Sequence, residues 1–218
     1  FGRPKSATFR TADVVGIDTL VKVAHGVYDN CANDEARDTF VIPSWVEKLV
    51  ENKWLGDKTG QGFFKKIKSK DGGSEIQVLN LSTLEYEPRK KTRFASIETA
   101  KAIDDLKLRI KALLAGQDKA GEFYRQFHYG LFSYISHRIP AISDEVYRID
   151  DAMKAGFGWE IGAFETWDAL GVEKMLKAMK DAGYTAAPWV NDMLTKGNST
   201  FYKVEKGVTL CYSPASST

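Results

Sequence analysis

The chain has 218 residues, of which 43% are hydrophobic and 28% are charged, a composition typical of globular proteins. Its net charge of +2 is too small to indicate nucleic acid as the main partner. Cys31 and Cys211 show no metal-ligand spacing and no disulfide framework, so a reducing compartment fits best. No secretory signal is visible, and no apolar run reaches the roughly 18 residues of a membrane span. We therefore expect a cytoplasmic protein without a membrane span.

The first part of the chain predicts two amphipathic helices. Apolar residues at helical spacing predict the first helix over residues 12–25. The second helix begins at Trp45 and continues to about Gly56, which is expected to serve as its C-cap.

A β-hairpin and a linker are predicted next. Residues 63–68 and 75–79 alternate on either side of an Asp-Gly-Gly turn at residues 71–73, and they form the only convincing strand pair. Residues 84–93 are charged and contain a proline, so they are the best candidate for a domain boundary. Residues 96–114 then predict a helix.

The second half predicts four further helices and a weakly patterned tail. Ser143 is a natural N-cap for one of these helices, because its hydroxyl suits the free N–H groups of a first turn. The tail is either a strand or a linker. The predicted helices cover residues 121–139, 143–155, 173–182 and 188–196, and the tail covers residues 207–218.

One motif occurs twice, and a long helical lead-in precedes only the second copy. The shared positions are Phe9, Thr11, Asp13 and Gly16 in the first copy and Phe164, Thr166, Asp168 and Gly171 in the second. We expect each phenylalanine to be a core anchor and each aspartate to cap or face a positive helix end. The short first copy indicates a fragment of a longer protein, whose missing part would hold the chemistry.

The predicted fold is therefore mainly α, with two related helical units and an inserted β-hairpin. The predicted domains are residues 1–85 for the first unit with its hairpin, 86–118 for a linker and helix, 119–206 for the second unit, and 207–218 for the tail.

No self-contained active site is recognisable in the sequence. His128 and His137 lie about half a turn apart around one helix, so they cannot share a metal ion. Residues 58–62 contain glycines but match no phosphate-binding loop, and we interpret them as a turn. The adjacent acidic pairs at residues 104–105 and 150–151 are interpreted as solvated faces.

Two motifs nevertheless resemble the C-terminal domain of 3-hydroxyacyl-CoA dehydrogenases. Residues 2–18 resemble the family signature G-x-P-x-G-P-F-x-x-x-D-x-x-G-[LI]-D, and residues 53–64 resemble its G-x-x-G-x-K-T-G-x-G-F-Y ending. The second copy, residues 158–171, lacks the proline and the Lys-Thr-Gly ending. The tandem arrangement resembles multifunctional fatty-acid β-oxidation enzymes, and the family's fold is like the C-terminal domain of 6-phosphogluconate dehydrogenase.

The resemblance implies NAD-dependent oxidation of L-3-hydroxyacyl-CoA to 3-ketoacyl-CoA. In the family, NAD binds a Rossmann domain that carries a His-Glu pair, and an Asn holds the reacting oxygen. All of these groups precede the G-x-P motif, so the resemblance places them outside this chain. It therefore implies no catalytic, cofactor-binding or metal-binding residue here, and an inactive fragment. The expected partners in the same protein are the Rossmann domain and an enoyl-CoA hydratase domain.

The resemblance also places one loop near the acyl-CoA. The residues that would approach the substrate are Arg3, Pro4, Lys5, Ser6 and Phe9. Lys5 is positioned to meet a CoA phosphate, although a solvated lysine is the alternative. The altered loop has Ser6, Ala7 and Thr8 where the family favours glycine and proline. For the fragment, we expect exposed apolar surface where the missing helix would pack, and this surface would drive self-association. The rival hypothesis is a purely structural or dimerisation module that does not contact substrate.

Overall fold

A computed structural model describes residues 2–4, 6–68 and 72–214. The chain falls into two compact units. The N-terminal unit is Lys5–Thr92, and the C-terminal unit combines Phe1–Pro4 with Arg93–Thr218.

The N-terminal unit contains helices and a small antiparallel sheet of three strands, which are neighbours in their sequence order. A core that includes Ile17, Leu49 and Phe63 packs beneath them. The elements are α1 (Ala7–Val15), α2 (Ile17–Asn30), α3 (Ser44–Glu51), β1 (Phe64–Lys68), β2 (Ser74–Leu79) and β3 (Tyr86–Pro88).

The helix predicted over residues 12–25 is in fact the two helices α1 and α2. Gly16 separates them with φ of +104°, a conformation that side chains rarely adopt. The first N–H of α2, from Ile17, donates to the Leu55 carbonyl at 3.2 Å instead of continuing α1. The prediction was wrong here because the apolar spacing runs through the glycine without interruption.

The predicted C-cap role of Gly56 is also wrong. Helix α3 ends at Glu51, and Asn52 occupies its C-cap position. Gly56 has φ of +98°, and a Cβ atom there would lie 2.2 Å from the Asp13 carbonyl oxygen. Close backbone approach to α1 therefore explains this glycine.

The predicted hairpin is present, with Phe64 opposite Val78 and Lys68 opposite Ser74. Asp71 of its predicted turn lies outside the described residues. The sheet has a third strand that the sequence analysis missed. Strand β3 lies within residues 84–93, which were interpreted as a linker, and it pairs with β2.

The C-terminal unit is mainly helical. The helix predicted over residues 96–114 is broken into α4 (Ala95–Lys101) and α5 (Leu106–Ala115). Asp105 caps α5 by accepting a hydrogen bond from the Leu108 N–H at 2.7 Å. Helix α7 (Val146–Phe157) begins three residues after Ser143, so Ser143 is not its N-cap. The helices are α4 (Ala95–Lys101), α5 (Leu106–Ala115), α6 (Lys119–His137), α7 (Val146–Phe157), α8 (Ala163–Leu170), α9 (Val172–Asp181) and α10 (Pro188–Thr195).

This unit also contains a second hairpin, which overturns the expectation of a single strand pair. Strands β4 (Tyr202–Glu205) and β5 (Val208–Cys211) are antiparallel, with Tyr202 opposite Cys211. The predicted tail therefore begins as a strand, and residues 215–218 lie outside the described part.

The core of the C-terminal unit is rich in aromatic side chains. Phe132 of α6 stacks on Trp167 of α8 with ring centroids 4.7 Å apart. Phe164 and Phe201 are fully buried in the same cluster. The mainly α fold class is confirmed, and no helix within the described residues is both long and apolar enough to span a bilayer.

Candidate functional site

The repeated aspartates make the same contacts in both units. Asp13 accepts hydrogen bonds from the N–H groups of Phe63 and Phe64 at 2.8 and 2.9 Å. Asp168 accepts from the N–H groups of Phe201 and Tyr202 at 2.8 and 2.9 Å. The expectation that these aspartates face a helix N-terminus is wrong, because each lies late in its helix and holds the start of a strand.

Asp150 is a second buried carboxylate in the C-terminal unit. It accepts hydrogen bonds from the N–H groups of Phe164 and Glu165 and from the Tyr202 hydroxyl, each at 2.9 Å. The interpretation of Asp150 as part of a solvated face is therefore wrong. Its carboxylate meets the first turn of α8, where unpaired N–H groups favour negative charge.

Burial controls the protonation of these groups. Desolvation raises the pKa of Asp150 to about 6 and that of Asp168 to about 6, although backbone hydrogen bonds oppose both shifts. Burial likewise raises the pKa of Asp13. The pKa of Tyr202 is raised by burial and by the nearby Asp150, so its hydroxyl remains a hydrogen-bond donor at neutral pH.

Of the three histidines, which all lie within the described residues, only His128 is buried. His128 is fully buried, and burial lowers its pKa to about 4, so it is neutral at physiological pH. Its Nδ1 atom lies 2.7 Å from the Tyr124 carbonyl oxygen. Within residues 2–4, 6–68 and 72–214, no group of three or more His, Cys, Asp or Glu side chains is arranged to hold a metal ion.

Arg3 and Pro4, which the resemblance placed near acyl-CoA, belong to the C-terminal unit. The Arg3 guanidinium lies over the rings of Trp159 and Phe127. Pro4 is exposed and adjoins Gly158. The arginine that the resemblance placed near the substrate is thus packed against two aromatic rings.

Ser6 and Phe9 belong to the N-terminal unit, and Lys5 lies outside the described residues. The Ser6 hydroxyl accepts a hydrogen bond from Thr11 at 2.9 Å and makes no helix cap. The ring centroids of Phe9 and Phe63 lie 4.7 Å apart, yet Phe9 is 47% exposed. Phe9 is therefore only partly the core anchor that we expected, whereas Phe164 is fully buried.

A cleft of about 960 Å³ lies on the C-terminal unit. Its acidic side chains outnumber its basic ones, and Lys154 is already paired with Asp151 at 3.1 Å and Glu165 at 3.2 Å. This excess of negative charge opposes binding of a polyanion such as CoA. The charged lining residues are Asp105, Lys107, Asp151, Lys154, Glu160, Glu165 and Asp168.

Helices α1 and α2 expose apolar side chains whose counterparts in the second copy are buried. In the C-terminal unit, α6 packs on α8 and supplies core residues around the matching positions. In each pair below, the first-copy residue precedes its second-copy counterpart, and the percentage is the exposed fraction of the residue. The pairs are Phe9 (47%) and Phe164 (0%), Val15 (55%) and Leu170 (9%), and Leu20 (41%) and Met175 (5%). These residues give the N-terminal unit an apolar surface, which we call the α1/α2 face, formed by Phe9, Val14, Val15, Leu20 and Val23.

The sequence analysis missed Asp150, Tyr202 and the aromatic pair around Arg3. One signal was available, since Trp159 follows the first glycine of its motif copy, just as Arg3 follows Gly2. Asp150 gave no local signal, because its hydrogen-bond partners Phe164 and Tyr202 are distant in sequence.

Comparison with known proteins supports the resemblance. The family model described as 3-hydroxyacyl-CoA dehydrogenase, C-terminal domain, matches residues 1–66 and 131–210, which include both copies of the motif. The chain is 42% identical over 211 residues to a probable 3-hydroxyacyl-CoA dehydrogenase of Bacillus subtilis. That match covers 97% of the chain and 26% of the relative.

A further relative is a putative fatty acid oxidation complex trifunctional enzyme of Rickettsia felis, which is 24% identical over 94% of the chain and 26% of its own length. A probable 3-hydroxyacyl-CoA dehydrogenase of Deinococcus radiodurans is 42% identical over 31% of the chain and 18% of its own length. The chain thus spans about a quarter of the first two relatives that it matches.

Proposed function

Because the chain belongs to the family of 3-hydroxyacyl-CoA dehydrogenase C-terminal domains, we propose that it forms the substrate-cleft part of an NAD-dependent L-3-hydroxyacyl-CoA dehydrogenase in fatty-acid β-oxidation. The observation that carries the proposal is the family match to both motif copies in order. We further propose that a Rossmann domain and an enoyl-CoA hydratase domain belong to the same longer polypeptide, and that this protein is cytoplasmic.

Within the described residues, the chain does not have the features of a dinucleotide-binding site. Both sheets within the described residues are antiparallel, whereas a dinucleotide site needs a parallel βαβ unit with a glycine-rich turn. The sequence has no G-x-G-x-x-G run. We therefore assign no step of hydride transfer to this chain, and we expect the pure chain not to reduce NAD in the presence of a 3-hydroxyacyl-CoA. Measurable NADH formation, followed by its absorbance, would contradict this expectation.

We propose that the chain contributes to acyl-CoA binding through the motif loop of Arg3, Pro4, Lys5, Ser6 and Phe9. The acidic cleft of the C-terminal unit is an unsuitable site for CoA phosphates, which leaves the basic loop as the better candidate. Since the Arg3 guanidinium is packed against two rings, we assign the phosphate contact to Lys5.

Titration calorimetry of the chain with a 3-ketoacyl-CoA tests this proposal. We expect binding heat, and roughly tenfold weaker binding for Lys5→Ala, because a charge-assisted phosphate contact is lost. Lys196→Ala removes an exposed lysine at the end of α10 and serves as the matched control, with unchanged affinity. The absence of any heat from the unsubstituted chain would exclude a direct substrate role.

The second candidate is a structural module that supports assembly and does not contact substrate. The α1/α2 face favours it, because exposed apolar surface of this kind is common at protein interfaces. A chain that gives no heat with acyl-CoA but self-associates at high concentration would support this alternative.

A further inference from the structure

The segment Gly2–Pro4 is bound on the surface of the C-terminal unit. The Gly2 carbonyl accepts a hydrogen bond from the Glu160 N–H at 2.8 Å. Gly2 is buried against Leu106, since a Cβ atom at Gly2 would lie 2.7 Å from the Leu106 Cδ2 atom. A hydrogen bond and close packing thus hold this short backbone segment.

The side chain of Arg3 makes the most specific contact of this segment. Its guanidinium carbon lies 3.8 Å from the ring centroid of Trp159 and 4.6 Å from that of Phe127. A planar guanidinium stacks on aromatic rings, whereas a lysine ammonium presents no plane. We call the pair Phe127 and Trp159 the arginine slot.

Arg3 is half-buried in this contact. Desolvation lowers the pKa of Arg3 to about 10, so the side chain is still charged at neutral pH while it has lost much of its water. Interaction with electron-rich ring faces offsets part of that loss.

The contact also lies beside the first glycine of each motif copy. Arg3 follows Gly2 in the first copy, and Trp159 follows Gly158 in the second. The hydrogen bond from Glu160 to Gly2 lies beside this stack, so the start of one motif copy is bound by the start of the other.

We propose that the arginine slot fixes the Gly2–Pro4 segment on the C-terminal unit and thereby holds Pro4, an exposed residue of the motif loop, in place for contact with acyl-CoA. Phe127 and Trp159 are positioning residues in this scheme, because they act through Arg3. The slot itself rests only on the contacts above, whereas the role of Pro4 in acyl-CoA binding rests on the proposed function.

Hydrogen exchange of the Glu160 amide in the full chain reports directly on binding of the segment, because its acceptor is the Gly2 carbonyl. We expect Arg3→Met and Trp159→Leu each to accelerate this exchange by roughly 2- to 30-fold, the factor that corresponds to a cation–π contact. Both substitutions remove the same contact. The rate increase in the double variant should therefore be smaller than the product of the two single increases.

Two controls separate release of the segment from general unfolding. Arg148→Met removes another arginine that lies over a ring, that of Tyr147, and should leave the Glu160 exchange rate unchanged. The Tyr212 amide, which donates to the Phe201 carbonyl at 2.8 Å, should keep its exchange rate in every variant. Phe127→Leu provides a second substitution in the slot.

The outcomes separate the slot from the proposed function. Unchanged exchange at Glu160 in Arg3→Met and Trp159→Leu would overturn the slot. Faster exchange with weaker binding of a 3-ketoacyl-CoA supports the whole scheme, and faster exchange with unchanged binding overturns the positioning role. If the unsubstituted chain binds no acyl-CoA, the proposed function and the positioning role fail together, and the exchange data alone decide on the slot.

Discussion

Tyr202 is hydrogen-bonded through its hydroxyl to Asp150 and through its backbone N–H to Asp168, both at 2.9 Å. This one residue at the start of β4 therefore contacts two buried carboxylates, one on α7 and one on α8. The first motif copy has only the backbone half of this arrangement within the described residues, from Phe63 and Phe64 to Asp13.

Removal of the Tyr202 hydroxyl should destabilise the C-terminal unit. Tyr202→Phe leaves a buried carboxylate with one donor fewer, and we expect the free energy of unfolding to fall by about 1–3 kcal/mol. Urea denaturation followed by circular dichroism measures the loss. Tyr184→Phe is the control, since the Tyr184 ring contacts Tyr129 and its hydroxyl makes no hydrogen bond within the described residues. Equal losses in the two variants would contradict a specific role for the Tyr202 hydroxyl.

The buried carboxylates should make stability depend on pH in the opposite sense to ordinary acid groups. The pKa of Asp150 is about 6 when folded, above its ordinary value of 3.8, so the folded state binds this proton more tightly than the unfolded state. Protonated Asp150 therefore contributes to the free energy of unfolding below about pH 4, and this contribution is lost as the pH rises through 6. Relative to Asp150→Asn, the parent should lose on the order of 2 kcal/mol of unfolding free energy between pH 4 and pH 7.

Urea denaturation of the parent and of Asp150→Asn at several pH values between 4 and 7 tests this expectation. Contributions from other groups cancel in the comparison, apart from the nearby Asp168 and Glu165, which interact with Asp150. Parallel pH profiles for the two proteins would show that Asp150 does not titrate in this range.

The helical fold class and the duplication were predictable from the sequence, because helical periodicity and a repeated motif are local patterns. The break at Gly16 was not predictable, since apolar spacing continues through the glycine. Only the hydrogen bond from the Ile17 N–H to the Leu55 carbonyl fixes the kink. The hairpin of β4 and β5 was missed because its strands are short and mostly exposed, and so show little alternation.

The candidate site was less predictable than the fold. Asp150 and Asp151 are neighbours in sequence, yet Asp150 is 1% exposed and Asp151 is exposed. Only the tertiary approach of α8 distinguishes them. The packing of Arg3 on Trp159 likewise joins positions that are far apart in the sequence. Contacts of this kind depend on the fold and leave no local pattern.

Gly162 should be required for the contact between Asp150 and α8. A Cβ atom at Gly162 would lie 2.2 Å from the Asp150 Cγ atom, although the backbone φ of −74° is accessible to alanine. We therefore expect Gly162→Ala to destabilise the chain by more than about 2 kcal/mol, through displacement of a buried carboxylate.

Gly26→Ala is the matched control for this prediction. Gly26 lies inside α2, and a Cβ atom added there would meet no neighbouring atom of the described residues within 4 Å. Alanine at this position should therefore stabilise the chain by about 0.5–1 kcal/mol. Thermal unfolding of both variants gives the comparison. A Gly162→Ala variant as stable as the parent would show that Asp150 does not hold the start of α8.

The α1/α2 face should drive self-association of the chain. Val15 and Val23 are 55% and 58% exposed there, and burial of such side chains is favourable by about 1.5–3 kcal/mol each. We expect the mass measured by light scattering to rise with protein concentration, and Val15→Lys to weaken association by roughly tenfold. Val204→Lys is the control, because Val204 is 71% exposed on β4, outside this face. A parent chain that stays monomeric at high concentration would contradict the prediction, and equal effects of both substitutions would place the interface elsewhere.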